Sequence, residues 1–242
     1  MTEQHAAHTH AKKDMSALYV PIAIVVAGLI IAGAVMFTRG GGSADNAGQQ
    51  QQKVAVDITK IKTDGQPFIG NANAPVTLAY WADYQCPFCK KFEQEVLPSI
   101  ISKYVDTGKV KIVFKDFAFL GNDSIDAANY EHAVWELYPN QFFAWRTDMF
   151  NHQDQEGDVG FGKASTIDTL IKDDFAGKMD DAKIKALVAQ NKDVYAKDIQ
   201  ADMQEGGNNG ITGTPGFITG KSQLVGYSEF PSFQEIIDLQ LK

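Results

Sequence analysis

Residues Ala79–Lys91 read AYWADYQCPFCKK: an apolar run ends, a short turn follows, and Cys86-Pro87-Phe88-Cys89 begins a predicted helix. Pro87 suits the first helical position, where its missing N–H costs nothing. Cys86 then lies at the helix N-terminus, beside unpaired N–H groups and the positive end of the helix dipole. Because that environment favours a thiolate, the stretch predicts a redox-active Cys-X-X-Cys site.

The spacing of the two cysteines assigns their roles. Cys86 and Cys89 are three residues apart, so both lie on one face of the first helical turn. The N-terminal thiolate can attack or release a disulfide, and the second sulfur resolves the mixed disulfide that forms. We therefore predict Cys86 as the nucleophile and Cys89 as the resolving thiol, separated by the active-site loop residues Pro87 and Phe88.

Composition excludes several other classes of protein. The chain has 242 residues, a formal net charge of −8 and no basic stripe, which argues against a nucleic-acid partner. It has two cysteines, both in the one motif, so a scaffold of structural disulfides is excluded. This count is typical of an enzyme that acts on the disulfides of other proteins.

An uncharged run at Leu18–Phe37 is long enough to cross a bilayer as a helix, which takes about 20 apolar residues. A cleaved signal peptide is the alternative, but its apolar region is normally shorter, about 7–15 residues. Lys12 and Lys13 precede the run and Arg39 alone follows it, which favours a cytoplasmic N-terminus and a catalytic domain outside the cytoplasm. The predicted organisation is a cytoplasmic tail (1–17), a transmembrane helix (18–37), a flexible Gly/Ser/Gln-rich linker (38–53) and one domain (54–242).

Within that domain the pattern predicts strands and helices in α/β order. A short leading strand at Lys53–Ile61, strands at Val76–Ala82 and Val110–Phe114, and a helix between these two predict a right-handed parallel crossover. Pro98 should kink that helix and Gly108 end it. The site then lies at the carboxyl end of the first strand of the crossover.

The rest of the domain is predicted to be mostly helical until a terminal hairpin. Residues 122–205 show helical spacing, with Ser124 as a candidate cap, a Gly-rich loop at Gly157–Gly162 and a flexible break at Gly206–Gly210. A hairpin turning at Gly220-Lys221 and an amphipathic helix at Glu229–Leu241 close the chain.

Two separated motifs together resemble the DsbA-like proteins. These are CPFC after an apolar strand, and Gly213-Thr214-Pro215-Gly216-Phe217 before a hairpin and helix. The resemblance covers roughly residues 70–242 and looks closest to the membrane-anchored, single-domain members. It implies a thioredoxin fold with an inserted α-helical subdomain at about residues 120–206. It also implies a cis Thr214–Pro215 bond that faces the cysteines, with Thr214 and Pro215 binding extended substrates.

The sequence departs from that family at two positions next to the cysteines. Oxidising members often carry His where Phe88 stands, and some carry a buried acid where Tyr80 stands. Asp83 could repel a thiolate, while Lys90 and Lys91 could favour one or simply be solvated. A less stabilised thiolate means a less oxidising disulfide.

The predicted function is a membrane-anchored, extracytoplasmic thiol–disulfide oxidoreductase that forms disulfides in secreted, cysteine-containing proteins. The resemblance implies a membrane partner that reoxidises it. We predict no cofactor beyond the Cys86–Cys89 disulfide and no metal, since zinc would need two further ligands and the domain offers only His132 and His152 as soft partners. The alternatives are an isomerase or reductase using the same site, and a non-enzymatic peptide-binding module.

Overall fold

A computed structural model describes residues 55–154 and 161–242. The predicted tail, transmembrane helix and linker lie outside the described residues, as does most of the predicted Gly157–Gly162 loop. A search of the described helices finds none with the length and apolar character needed to cross a membrane.

A five-stranded mixed sheet lies at the centre of the fold, in the order β1-β3-β2-β4-β5. Strands β2 and β3 are parallel, with Val76 opposite Val110 and Ala82 opposite Asp116, and the other pairs are antiparallel. The predicted parallel crossover is therefore confirmed. The strands are β1 (Phe68–Ile69), β2 (Val76–Ala82), β3 (Val110–Asp116), β4 (Gly216–Thr219) and β5 (Ser222–Val225).

The leading strand predicted at Lys53–Ile61 is wrong for the part that the structure describes. Ile58–Lys60 form a single 3-10 turn, because the Asp57 carboxylate accepts hydrogen bonds from the N–H and hydroxyl of Thr59. That side chain satisfies the turn locally and competes with strand pairing. The first strand is instead the two-residue β1.

Helix α1 (Pro87–Glu95) follows β2 and carries both cysteines at its start. The predicted long helix is interrupted at Val96, then continues as α2 (Leu97–Ile100) and a π-helical turn (Ile101–Val105). Pro98 lacks the N–H that would bond the carbonyl one turn earlier, so the break falls just before it. Gly108 lies after the last turn with φ of +72°, as expected of a residue that ends a helix.

Among the described residues, four helices form the insertion between β3 and β4. Ser124 does not cap the first of them, because the helix begins at Asn122 and the Ser124 hydroxyl donates to Asp83 instead. The break predicted at Gly206–Gly210 begins only after Asn208. The helices are α3 (Asn122–Leu137), α4 (Pro139–Asn151), α5 (Ala164–Asp174) and α6 (Asp181–Asn208), and α7 (Phe230–Asp238) closes the domain.

The alternation of β2 divides the core into two layers. Leu78, Tyr80 and Ala82 face the larger cluster, which includes α1 and the insertion, while Ala79 and Trp81 face a smaller cluster on the other side. Since both faces are covered, β2 reads as a continuous apolar run in the sequence. Tyr80 packs within 4.9 Å of Phe92 and 4.8 Å of Phe217, measured between ring centroids, which places the carboxyl end of β2 directly against α1 and β4.

Candidate active site

Cys86 is the N-cap residue of α1 and Pro87 is at its first position, as the sequence predicts. The Cys86 N–H donates to the Asp83 carbonyl at 3.0 Å. Its own carbonyl accepts from the N–H groups of Cys89 and Lys90 at 3.0 and 3.1 Å. The turn from β2 into α1 therefore holds the Cys86 sulfur at the positive end of the helix.

The two cysteines are free thiols with opposite electrostatic environments. Hydrogen bonding from the Cys89 thiol, together with Thr214 and the N–H groups of Cys89 and Phe88, outweighs burial and lowers the pKa of Cys86 to about 6. Cys89 is completely buried, and burial followed by its interaction with Cys86 raises its pKa well above the usual value. At neutral pH this arrangement is a Cys86 thiolate that accepts a hydrogen bond from a protonated Cys89.

The cis peptide bond lies between Thr214 and Pro215, where the resemblance implies it. The structure brings this bond to the cysteines across 128 residues of sequence: the Cys86 sulfur lies 3.4 Å from the Thr214 carbonyl oxygen, to which the protonated thiol donates. The Thr214 side chain also interacts with Cys86, and this interaction contributes to lowering the pKa of that thiol.

Asp83 organises the turn rather than facing the nucleophile. Its carboxylate accepts hydrogen bonds from the N–H groups of Gln85, Phe119 and Leu120, and from the Ser124 hydroxyl. Burial raises the pKa of Asp83, and these hydrogen bonds oppose the rise. One side chain therefore ties the active-site turn to the segment that follows β3.

An exposed apolar surface surrounds this turn. Phe88, between the two cysteines, is 57% exposed, and Phe119 and Leu120 on the segment held by Asp83 are exposed as well. A phenyl ring at position 88 donates no hydrogen bond to the thiolate. The thiolate is thus stabilised by Cys89, Thr214 and the helix N–H groups instead.

Neither lysine after the motif is simply solvated. The Lys90 ammonium donates to the Gln153 carbonyl at 2.8 Å. Lys91 lies 3.8 Å from the Glu95 carboxylate and 4.2 Å from the centre of the Tyr227 ring. Each ammonium is therefore engaged with a partner other than Cys86.

Sequence reasoning missed the polar groups beneath and beside the turn. Arg146 of α4 is buried between Glu93, one helical turn after Cys89, and Glu131 of α3. The Gln153 side chain contacts the backbone of the turn itself. No local sequence signal marks such residues, because their partners lie 15 to 69 positions away.

The two histidines considered as zinc ligands lie in other surroundings. His132 is 2.7 Å from the Asp116 carboxylate. Burial lowers the pKa of His132, but the charge and hydrogen bond of Asp116, together with Glu131 and Asp202, outweigh burial and raise that pKa to about 9. His152 lies near Asp148 and Asp174. In the described part of the chain, the group with metal-binding side chains close enough together is Asp148, His152 and Asp174, which includes neither cysteine.

A sequence model of the thioredoxin family matches residues 62–239. Among curated proteins, disulfide bond formation protein D of Bacillus subtilis (strain 168) is similar: it is 26% identical over 179 residues, covering 74% of this chain and 78% of that protein. The residues that the family model matches include both the Cys86–Cys89 motif and the Thr214–Pro215 loop.

Solved structures are similar in fold over the same region. Oxidised BdbD from Bacillus subtilis superposes with a TM-score of 0.69 at 25% identity, covering 78% of this chain and 98% of that chain. Alpha-DsbA1 from Wolbachia pipientis gives a TM-score of 0.63 at 22% identity, covering 76% and 94%. With the family match, these likenesses identify the arrangement of the sheet and the helices between β3 and β4 as a thioredoxin fold with a helical insertion.

Proposed function

This chain belongs to the thioredoxin family and is a DsbA-like thiol:disulfide oxidoreductase, and from that premise we propose that it forms disulfides in secreted proteins through Cys86 and Cys89. The observation that carries the proposal is the pairing of a Cys86 thiol whose pKa is lowered to about 6 with a fully buried Cys89. A thiol of low pKa is a good leaving group, which makes its disulfide oxidising. The name of the Bacillus subtilis relative, a disulfide bond formation protein, supports this direction.

The proposed reaction is a two-step exchange. A substrate thiolate attacks the Cys86 sulfur of the Cys86–Cys89 disulfide, forming a mixed disulfide and releasing the Cys89 thiolate, which takes up a proton. The substrate's second thiolate then attacks the substrate sulfur of the mixed disulfide. This step forms the substrate disulfide and releases the Cys86 thiolate. The substrate loses two electrons and two protons as its disulfide forms, and the enzyme gains the two electrons as a dithiol.

The Thr214–Pro215 loop is the proposed docking site for the substrate backbone. Its carbonyl lies 3.4 Å from the Cys86 sulfur, so an extended segment that pairs with the loop presents its cysteine to the nucleophile. Phe88, Phe119 and Leu120 supply apolar contact area around that segment. Thr214 and Pro215 therefore bind substrate in this proposal, and Pro87 and Phe88 form the loop that it approaches.

We also propose the cellular setting. Leu18–Phe37 would anchor the chain in the cell membrane, with the catalytic domain outside the cytoplasm, where new disulfides persist. A membrane partner would accept the two electrons from the Cys86–Cys89 dithiol and regenerate the disulfide. The redox pair itself needs no metal and no other cofactor for this exchange.

The proposal is tested with single cysteine variants and a reduced, unfolded substrate protein. We expect Cys86→Ser to abolish dithiol oxidation, and Cys89→Ser to accumulate mixed disulfides that a non-reducing gel resolves. Thr147→Ala, which removes an exposed hydroxyl of α4 that donates to the Phe143 carbonyl, serves as a control with both cysteines intact. Full activity in Cys86→Ser would contradict the proposal.

The reduction potential distinguishes the oxidase from the isomerase or reductase. A value near that of DsbA, about −120 mV, is expected of a net oxidant, whereas about −200 mV or below favours the other direction. Equilibration of the full-length chain with defined ratios of reduced and oxidised glutathione measures it directly.

A further inference from the structure

The Gln153 side chain, at the end of α4, contacts the backbone on both sides of Gln85. Its amide Nε2 donates to the Tyr84 carbonyl at 2.6 Å and to the Cys86 carbonyl at 3.1 Å. Both N–H groups of the amide are thus directed at the turn that presents the nucleophile. Since two carbonyls face this nitrogen, the orientation of the amide is fixed by its partners.

The contact is reciprocal. The backbone carbonyl of Gln153 accepts a hydrogen bond from the Lys90 ammonium at 2.8 Å. Lys90 of α1 therefore fixes the position of Gln153, whose side chain contacts the turn. The residue is only 4% exposed, and water has little access to these hydrogen bonds. Hydrogen bonds that are shielded from water in this way are costly to remove on one side only.

Phe161 and Gly162, which precede α5, also contact the turn at residues 84–86. Gln85 donates from Nε2 to the Phe161 carbonyl at 2.9 Å, and the Phe161 N–H donates to the Asp154 carboxylate at 2.9 Å. Gly162 has φ of +106°, and a side chain there would collide with the Gln85 amide, so this approach requires glycine. The insertion therefore contacts residues 84–86 at two residues, Gln153 and Phe161. Asp154 joins these two contacts, because it follows Gln153 in the chain and accepts the hydrogen bond from Phe161.

We propose that Gln153 is a positioning residue for the redox site, through which the helical insertion fixes the Cys86 turn against the Thr214 carbonyl and tunes the exchange equilibrium of the Cys86–Cys89 pair. The inference rests on the proposed function of these cysteines. Gln153 touches no reacting atom. It acts through the peptide units on either side of Gln85, whose orientation determines where the Cys86 sulfur lies relative to the N–H groups of α1.

The expected consequence has a definite sign. Without the amide, the Tyr84 carbonyl loses its donor and the turn is free to rotate away from the helix axis. The Cys86 thiolate then loses alignment with the N–H groups of Cys89 and Phe88 that lower its pKa. Its thiolate becomes less stable, and the dithiol form of the enzyme becomes less favoured relative to the disulfide.

The test is Gln153→Met in the full-length chain, because methionine matches the length of glutamine and donates no hydrogen bond. We expect iodoacetamide alkylation of reduced Cys86 at pH 5.5 to slow about threefold, equivalent to a rise of about half a unit in its pKa. The equilibrium constant with glutathione should shift toward the enzyme disulfide by a similar factor. Mass spectrometry assigns the alkylated cysteine.

Gln94→Met is the matched control. Gln94 donates to Asn151 at 3.1 Å and so joins the same two helices, α1 and α4, at an exposed position away from the turn. It should leave both readouts unchanged. Should Gln153→Met fail to fold, Gln85→Met removes the second attachment of the turn and carries the same expectation.

A structural role alone would lower the melting temperature of Gln153→Met without moving either redox readout, and that result would overturn the inference. The outcome is distinguishable from failure of the proposed function, because alkylation and glutathione equilibration report on the cysteines whether or not the chain oxidises protein substrates.

Discussion

The Arg146 guanidinium lies 2.9 Å from the Glu93 carboxylate, and both side chains are almost completely buried beneath the redox site. Glu93 follows Cys89 by one helical turn, so this ion pair joins the active-site helix α1 to α4 of the insertion. Arg146 also donates to Glu131 at 3.2 Å and to the Tyr84 hydroxyl at 3.1 Å. One cation therefore pairs with two buried carboxylates from two different helices.

Arg146→Met should strongly destabilise the fold, because it leaves Glu93 and Glu131 buried without a cation. Breaking a buried pair on one side typically costs about 3–5 kcal/mol. Urea unfolding at pH 8 should therefore show a free energy of unfolding lower by about 3 kcal/mol or more.

The decrease in the free energy of unfolding caused by Arg146→Met should be smaller at pH 5.5 than at pH 8. Burial, opposed by Arg146, already raises the pKa of Glu131 to about 7, so the folded state retains a proton that the unfolded state releases above about pH 4.5. Removing Arg146 strengthens that preference, and stability then falls as pH rises. Arg146→Lys keeps the positive charge and should lose less stability than Arg146→Met. An equal loss of stability at both pH values in Arg146→Met would contradict this explanation.

Cys86 predicts a pH dependence that only the reduced protein shows. The pKa of Cys86 is about 6 in the fold, against about 8.5 for an unperturbed thiol. The stability that this lowered pKa contributes to the fold is fully present above about pH 8.5 and is lost as the pH falls toward 6. The stability of reduced wild type relative to Cys86→Ser should therefore increase from pH 6 to 8.5, measured by urea unfolding.

Two comparisons check that assignment. The oxidised protein has no Cys86 thiolate and should lack this pH-dependent gain. Cys89→Ala removes the side-chain donor that contributes most to lowering the pKa of Cys86, so alkylation of its Cys86 should begin at a higher pH. A Cys86 titration unchanged by Cys89→Ala would show that the lowering comes from elsewhere.

Tyr80→Phe should not reduce stability, although Tyr80 is completely buried. Its hydroxyl makes no hydrogen bond of good geometry with a residue that the structure describes. Burial, followed by the nearby Cys89 and Glu93, raises the pKa of Tyr80 well above the usual value. Removing an unsatisfied buried hydroxyl is expected to be neutral or stabilising by about 1 kcal/mol. Thermal or urea unfolding of the reduced protein measures the change.

Tyr130→Phe is the matched control. This tyrosine is also buried, but its hydroxyl donates to Asp168 at 2.7 Å, so its loss should destabilise by about 1–2 kcal/mol. Equal effects of the two substitutions would mean that the Tyr80 hydroxyl is satisfied in solution.

The elements around the redox site could be predicted because their signals are local. The apolar run Val76–Ala82 marks a strand covered on both faces, and Pro87 after Cys86 marks a helix start. The family motifs then place Thr214-Pro215 opposite the cysteines, which no local pattern could do. The cis bond and the 3.4 Å contact with Cys86 agree with that placement.

What could not be predicted depends on contacts between distant residues. β1 has two residues and forms only because Phe68 and Ile69 reach Val113 and Ile112 of β3. Ser124 looks like a helix cap, yet its hydroxyl is taken by Asp83, 41 positions earlier. Arg146 stands among apolar residues in the sequence, and nothing local identifies its partners, which are two glutamates that packing brings to it.

The glycines at the end of α6 give the last prediction, because two adjacent positions should respond in opposite directions. Alanine normally stabilises a helix relative to glycine by about 0.5–1 kcal/mol. A methyl group on Gly206 would lie 2.9 Å from Trp81 Nε1 and 3.3 Å from the Phe117 ring, whereas one on Gly207 meets nothing within 4 Å. Trp81 cannot move aside easily, since it is completely buried and its Nε1–H donates to the Asp202 carbonyl at 3.0 Å.

Gly206→Ala should therefore destabilise by about 1–3 kcal/mol through overpacking, while Gly207→Ala should stabilise slightly. Urea midpoints with unchanged slopes would measure both, and a Gly206→Ala variant as stable as Gly207→Ala would refute the close packing of α6 on Trp81.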